Sequence, residues 1–184
     1  NPPPMKIPGV KGMNDLLPAD VGRWQEMEQL ARDLFGRYGY REVRVPVVEH
    51  AALYARGVGE NTDIVQKEMY AFEDKGEELL CLRPEATAGL VRAFIEHGLH
   101  VEGPQKWFAL GPMFRRERPS KGRFRQFFQI DAEVLGDVSP LTDAETIAAA
   151  HAIMSNLGAT GLMMEINSVG CNACRAEYRG LLRS

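Results

Sequence analysis

The chain has 184 residues, 45% hydrophobic and 26% charged, with a formal net charge of −3. That length supports one domain with a sizeable core, and the charge excludes a globally basic nucleic-acid coat, so a polyanion site must be local. No apolar run reaches the roughly 18 residues of a membrane span, and the opening NPPPMKIPGVKGMNDLLP lacks the apolar stretch of a secretion signal, so the expected compartment is the cytoplasm.

The Pro-rich start reads as an extended arm. From Val21, Trp24, Met27, Ala31, Leu34, Phe35 and Tyr38 recur every three or four residues, predicting an amphipathic helix over 22–38 that Gly39 ends. REVRVPVVE at 41–49 alternates Val43, Val45 and Val47 with polar residues and predicts a strand. Pro46 donates no ladder hydrogen bond, so this strand belongs at an edge, a bulge or a subunit contact. MYAFEDKGEELLCL at 69–82 predicts a hairpin turning at Asp74-Lys75-Gly76. Pro84 breaks the second arm, and Leu90, Val91, Phe94 and Ile95 give a helical stripe. Strands follow at 105–114 and 125–135, joined by a basic Pro-Ser-Lys-Gly turn. Ser139 suits a helix N-cap, Pro140 the first helical position and Gly158 the end, after which LMMEINSV at 162–169 predicts a last, core-forming strand. There is no internal repeat.

The turn concentrates cations: Arg115, Arg116, Arg118, Lys121, Arg123 and Arg125. Residues two apart share a strand face. Phe128, Ile130, Ala132 and Val134 therefore point one way, towards a core, and Phe127, Gln129, Asp131 and Glu133 the other. With matched apolar faces, Arg115 and Glu117 stand on the surface of Phe127, Gln129 and Glu133. That surface offers a cation, a flat ring and hydrogen-bonding groups, suited to an anionic nucleotide beside a small polar ligand. By pattern alone a solvated sheet face with cross-strand ion pairs fits equally well. No GxxxxGK[ST] occurs, so a P-loop is excluded.

Phe114-Arg115-Arg116-Glu117, then a loop, then Arg123 and Phe127, resembles motif 2 of class II aminoacyl-tRNA synthetases. The 22–38 helix followed by REVRVPVVE resembles motif 1, the dimer element of that class. GVKGMNDLLP, LRPEATAG at 82–89 and GPMFRRERPSKGRFRQFFQIDAEVLG at 111–136 narrow the resemblance to the catalytic core of the histidyl-tRNA synthetase family.

The resemblance implies an α+β fold, a six- or seven-stranded antiparallel sheet flanked by helices, acting as a homodimer through the 22–48 region. It implies ATP with Mg²⁺, L-histidine and tRNA(His) as ligands. Arg115 is then the catalytic residue on the ATP α-phosphate, with Glu117 on the adenine side, Phe127 stacked on adenine and Arg123 near the γ-phosphate. Glu85, Thr87, Arg115, Gln129 and Glu133 form the histidine subsite, Glu133 facing the imidazole. Arg116, Arg118, Lys121 and Arg125 are the tRNA contacts.

Residues 1–184 correspond to the N-terminal portion of such a core. They carry motifs 1 and 2 but neither motif 3 nor an anticodon-binding domain, so the 184 residues alone are expected not to make adenylate. Ala86 replaces a common Gly in LRPEAT, and Ser120 a common Gln in the motif 2 loop. The resemblance also admits a non-catalytic paralogue, similar to the regulatory subunit of ATP phosphoribosyltransferase; intact LRPEAT, Arg115, Phe127 and Glu133 favour the ligase. Cys171 and Cys174 have metal-knuckle spacing but supply two ligands of the four a structural zinc needs, and Cys81 is distant, so incidental cysteines in a reducing compartment are expected and no metal site.

Overall fold

The computed structural model describes residues 7–58, 68–167 and 170–181. The start of the arm and the last two residues of the predicted 162–169 strand lie outside the described residues. Helix α1 (Pro18–Arg37) begins with Pro at its first turn, carries Asp20 there and Arg37 in its last turn, which suits the helix dipole. It starts four residues before the predicted helix and stops at Gly39, whose φ of +78° only glycine adopts freely.

The predicted 41–49 strand is split in two. β1 (Arg41–Glu42) pairs in parallel with β5 (Gln105–Phe114), and β2 (Val48–His50) pairs antiparallel with β4 (Leu79–Leu82) in a different sheet. The break surrounds Pro46, which has no N–H to continue a ladder. Helix α2 (Ala51–Val58) follows, and β3 (Tyr70–Glu73) completes a sheet of order β2-β4-β3. The β3–β4 turn is wider than the three residues read from sequence. Asp74 Oδ1 accepts from Gly76 N at 2.7 Å and Glu78 N at 3.0 Å, and Glu77, not Gly76, takes the left-handed conformation at φ 62°.

Helix α3 (Thr87–Glu96) and a short 3₁₀ turn lead into β5, which pairs over ten residues with β6 (Gln126–Leu135). Helix α4 (Pro140–Asn156) is capped as read: Ser139 Oγ accepts from Leu141 N at 3.3 Å, and Gly158 follows the helix at φ +87°. The described part of the predicted last strand, 162–167, does not form a β-strand, and Met163 and Ile166 are 84% and 75% exposed instead of forming core. An apolar run makes a strand only where a partner edge accepts its hydrogen bonds. Helix α5 (Asn172–Leu181) was not legible in the sequence.

The described residues thus hold two three-stranded sheets, β1-β5-β6 and β2-β4-β3, with one parallel pair, rather than a single antiparallel sheet. Arg83 joins them. Its N–H donates to Val47 O (2.9 Å) and its carbonyl accepts from Phe114 N (3.0 Å). Behind β5 and β6, α1 and α4 enclose Ala31, Leu34, Phe35, Phe108, Ala149 and Ile153. On the opposite face α3 packs Leu90 and Ala93 against Trp107, Ala109 and Met113.

Candidate functional site

The β5–β6 register opposes Trp107 to Glu133, Ala109 to Asp131, Gly111 to Gln129 and Met113 to Phe127. Directly opposed residues share a face, so Phe127, Gln129, Asp131 and Glu133 form one row, as strand parity predicts. Phe128, Ala132 and Val134 take the other face: Phe128 meets Trp24 with ring centroids 4.7 Å apart, and Ala132 and Val134 pack on the α1–α4 core.

Arg115 lies just beyond β5, and its guanidinium carbon sits 5.1 Å from the centroid of the Phe127 ring. Its Nε donates to Pro84 O at 3.0 Å. A cation is therefore held over an aromatic face with its remaining donors free of that bond. Strand parity stops there, because β5 ends at Phe114. Glu117 is reached through the loop, where Arg123 Nη1 lies 3.6 Å from its carboxylate. Arg116, Arg118, Lys121 and Arg123 are exposed on that loop. Arg125 is not: its Nε donates to Glu117 O (3.2 Å), and its main chain and that of Gln126 donate to Gly12 O (2.7 and 3.1 Å). The N-terminal arm is thereby latched to the basic hairpin. Gly12 is required there, since at φ +84° a Cβ would meet Arg125 and Pro119 side-chain carbons at 3.1 Å.

The 83–88 segment supplies the other wall. Thr87 Oγ1 donates to Glu133 Oε1 at 2.6 Å, joining the start of α3 to the end of β6. Glu133 therefore already has a partner, which fixes its carboxylate and leaves Oε2 outside that bond. Glu85 Oε1 accepts from Ala88 N at 3.2 Å, capping α3. A cavity of about 670 Å³ beside α3 is lined by Leu53, Glu85, Thr87, Val91 and Arg92. None of the β6 row lines it.

Beneath this wall lies a residue that sequence reasoning passed over. Arg83 is 5% exposed, its Nε donating to Pro112 O (3.0 Å) and its Nη1 to Val45 O (2.8 Å). Burial pulls its pKa down. The signal was an arginine closing the apolar run LLCL just before Pro84. Asp131, noted only for its parity, is pushed up to about 6 by burial first and then by Glu133 and Glu85, against Arg83 and Arg115. Elsewhere, burial pushes Cys81 up to about 11, and Cys171 and Cys174 are exposed.

A sheet floor carrying an arginine-stacked ring, with a row of amide and carboxylates beside it, is the arrangement of a class II aminoacyl-tRNA synthetase core. The sequence profile described as histidyl-tRNA synthetase matches residues 12–173. A histidine–tRNA ligase of Anaeromyxobacter sp. (strain K) is 66% identical over 98% of this chain and 43% of its own length, and one of Trichlorobacter lovleyi is 52% identical over 97% and 43%. The crystal structure of apo S. aureus histidyl-tRNA synthetase superposes with TM-score 0.79 at 38% identity, covering 97% of this chain and 41% of that one. An ATP phosphoribosyltransferase regulatory subunit/histidyl-tRNA synthetase of Bacillus halodurans shares the fold (TM-score 0.73, 21% identity, 86% and 40% covered). The chain belongs to the histidyl-tRNA synthetase family, and it spans about 43% of the length of the curated relatives it matches.

Proposed function

We propose that this chain is the part of a histidine–tRNA ligase that binds ATP and histidine for adenylate formation. The observation that carries the reading is the single face shared by Arg115, Phe127, Gln129 and Glu133, walled by Glu85 and Thr87. Adenine stacks on Phe127 with Glu117 at its edge, Arg115 holds the α-phosphate and Arg123 the γ-phosphate. Glu85, Thr87 and Gln129 surround the histidine ammonium, and Glu133 accepts from the imidazole N–H.

The histidine carboxylate attacks the α-phosphorus in line and pyrophosphate leaves. The nucleophile is already an anion, so the protein supplies no general base. Its work is orientation and charge stabilisation, which the fixed guanidinium of Arg115 provides as negative charge shifts in the transition state. Mg²⁺ arrives with ATP as its counter-ion; among the described residues no three His, Cys, Asp or Glu side chains are grouped to hold a metal. The terminal hydroxyl of tRNA(His) then takes the histidyl group, with exposed Arg116, Arg118 and Lys121 on the hairpin side that meets the tRNA and Arg125, bound to Glu117 O and the arm, holding that hairpin in place.

The ligase works in the cytoplasm as a homodimer through the 22–48 region. Support for that contact is Val47 and Val48, 38% and 41% exposed beside exposed Pro46; no described helix is long and apolar enough to cross a membrane. The test is histidine-dependent ATP–pyrophosphate exchange by the full-length ligase. Glu133→Ala raises the KM for histidine, whereas Arg115→Ala lowers kcat by roughly 10²–10³, the usual loss for one preorganised donor. Wild-type kcat/KM for histidine in Glu133→Ala would falsify the recognition role.

A further inference from the structure

We propose that Asp131 is a further residue of the amino-acid subsite, receiving the substrate's ammonium group between Gln129 and Glu133. This rests on the histidine-activating reading above. Two acceptors carry the argument. Gln129 Oε1 and Asp131 Oδ2 are both buried, and neither has a hydrogen-bond donor among the described residues. They sit two residues apart on the same face of β6, about 7 Å along the strand. Buried acceptors without donors are unfavourable and rare in native folds, and two side by side at a site point to a ligand with several N–H donors. An ammonium group has three, and no acceptor to conflict with them.

The charges around Asp131 agree. From β6 it faces Glu133, from the loop before α3 Glu85, from the end of β4 Arg83, and from the end of β5 Arg115. Arg92 on α3 is taken up by Glu49 and Glu96. Arg83 spends its Nε and Nη1 donors on Pro112 O and Val45 O, and Arg115 its Nε on Pro84 O. Burial and two neighbouring carboxylates outweigh the arginines, so in the empty site the Asp131 carboxyl is pushed up to about 6 and is half-protonated near that pH. An incoming ammonium reverses that balance: Asp131 releases its proton and the cation takes its place.

Asp131→Asn in the full-length ligase separates this from a structural role. The substitution keeps shape and removes a desolvated carboxyl, so the unfolding temperature stays or rises. At pH 7.5 the KM for histidine in pyrophosphate exchange rises roughly 10- to 100-fold, the value of one charge-assisted hydrogen bond, while the KM for ATP stays within about twofold. Calorimetric titration of L-histidine at pH 6 in two buffers of different ionisation heat shows wild type releasing about half a proton more than Asp131→Asn. The substrate imidazole titrates in both proteins and cancels in the difference. An unchanged histidine KM overturns the proposal, as does a drop in unfolding temperature with equal loss of both substrates. Wild-type protein without histidine-dependent exchange overturns the functional reading itself, and this inference with it.

Discussion

Replacing Arg83 with Met tests whether one buried cation holds the two sheets together beneath the site. Arg83 is 5% exposed, and its guanidinium donates to Pro112 O on β5 and to Val45 O in the broken strand. Met fills much of the aliphatic stem but supplies no donor. A buried carbonyl, that of Val45, and a part-buried one, that of Pro112, then lose this donor, at about 1–3 kcal/mol each. Part of that loss is offset, because the desolvation that lowers the Arg83 pKa disappears with the charge. The net loss is about 2–4 kcal/mol, or about 5–15 °C in unfolding temperature for a chain of this size. Urea unfolding followed by circular dichroism should show a lower midpoint with an unchanged slope. Arg83→Lys should fall between, since a single ammonium cannot span both carbonyls. A loss below about 1 kcal/mol for Arg83→Met would refute the seam and make Arg83 a passenger.

Gly111→Ala acts on the same contact: the new Cβ would stand 2.6 Å from the Arg83 Nη2, which is pinned, so about 1–3 kcal/mol is lost in the same unfolding assay. Glu77→Gly relieves a left-handed conformation that glycine adopts freely, and stability should rise by about 0.5–1 kcal/mol in thermal melts. Thr87→Val removes the 2.6 Å bond that orients Glu133; the histidine KM in pyrophosphate exchange should rise about 10-fold with the ATP KM unmoved.

What the sequence revealed follows from how local each signal was. Strand parity needs only neighbours, so the β6 row of Phe127, Gln129, Asp131 and Glu133 was legible, as was the Ser139-Pro140 start of α4. Features set by distant partners were not. The 41–49 stretch alternates like one strand, but its two ends find different edges, β5 and β4, on either side of Pro46. Residues 162–166 are as apolar as a buried strand but form none. Arg83 meets Val45 and Pro112 across 38 and 29 residues, and Thr87 meets Glu133 across 46, which no window of sequence displays.

The pH dependence of stability gives Asp131 a second, independent test. Its folded pKa near 6 lies above the unfolded carboxyl value of about 3.9. Between those values the folded chain binds more protons than the unfolded chain, so this group makes stability fall as pH rises from about 4 to about 6 and leaves it level above. After discounting for its partial exposure, the drop is about 1–2 kcal/mol. Asp137 works with the opposite sign: the Thr142 hydroxyl and the Ser139 N–H hold its pKa down, so its contribution is present above about pH 4 and disappears below. The two windows barely overlap, which isolates Asp131. Urea unfolding of wild type at pH 4.5 and 7 should show the stability falling, and Asp131→Asn should flatten that change and be the more stable protein at pH 7. Identical pH profiles for the two proteins would mean that the carboxyl is not strained in the empty site. A residue that destabilises the free protein at the pH where a ligase works, and weakens histidine uptake when neutralised, is maintained by binding and not by folding.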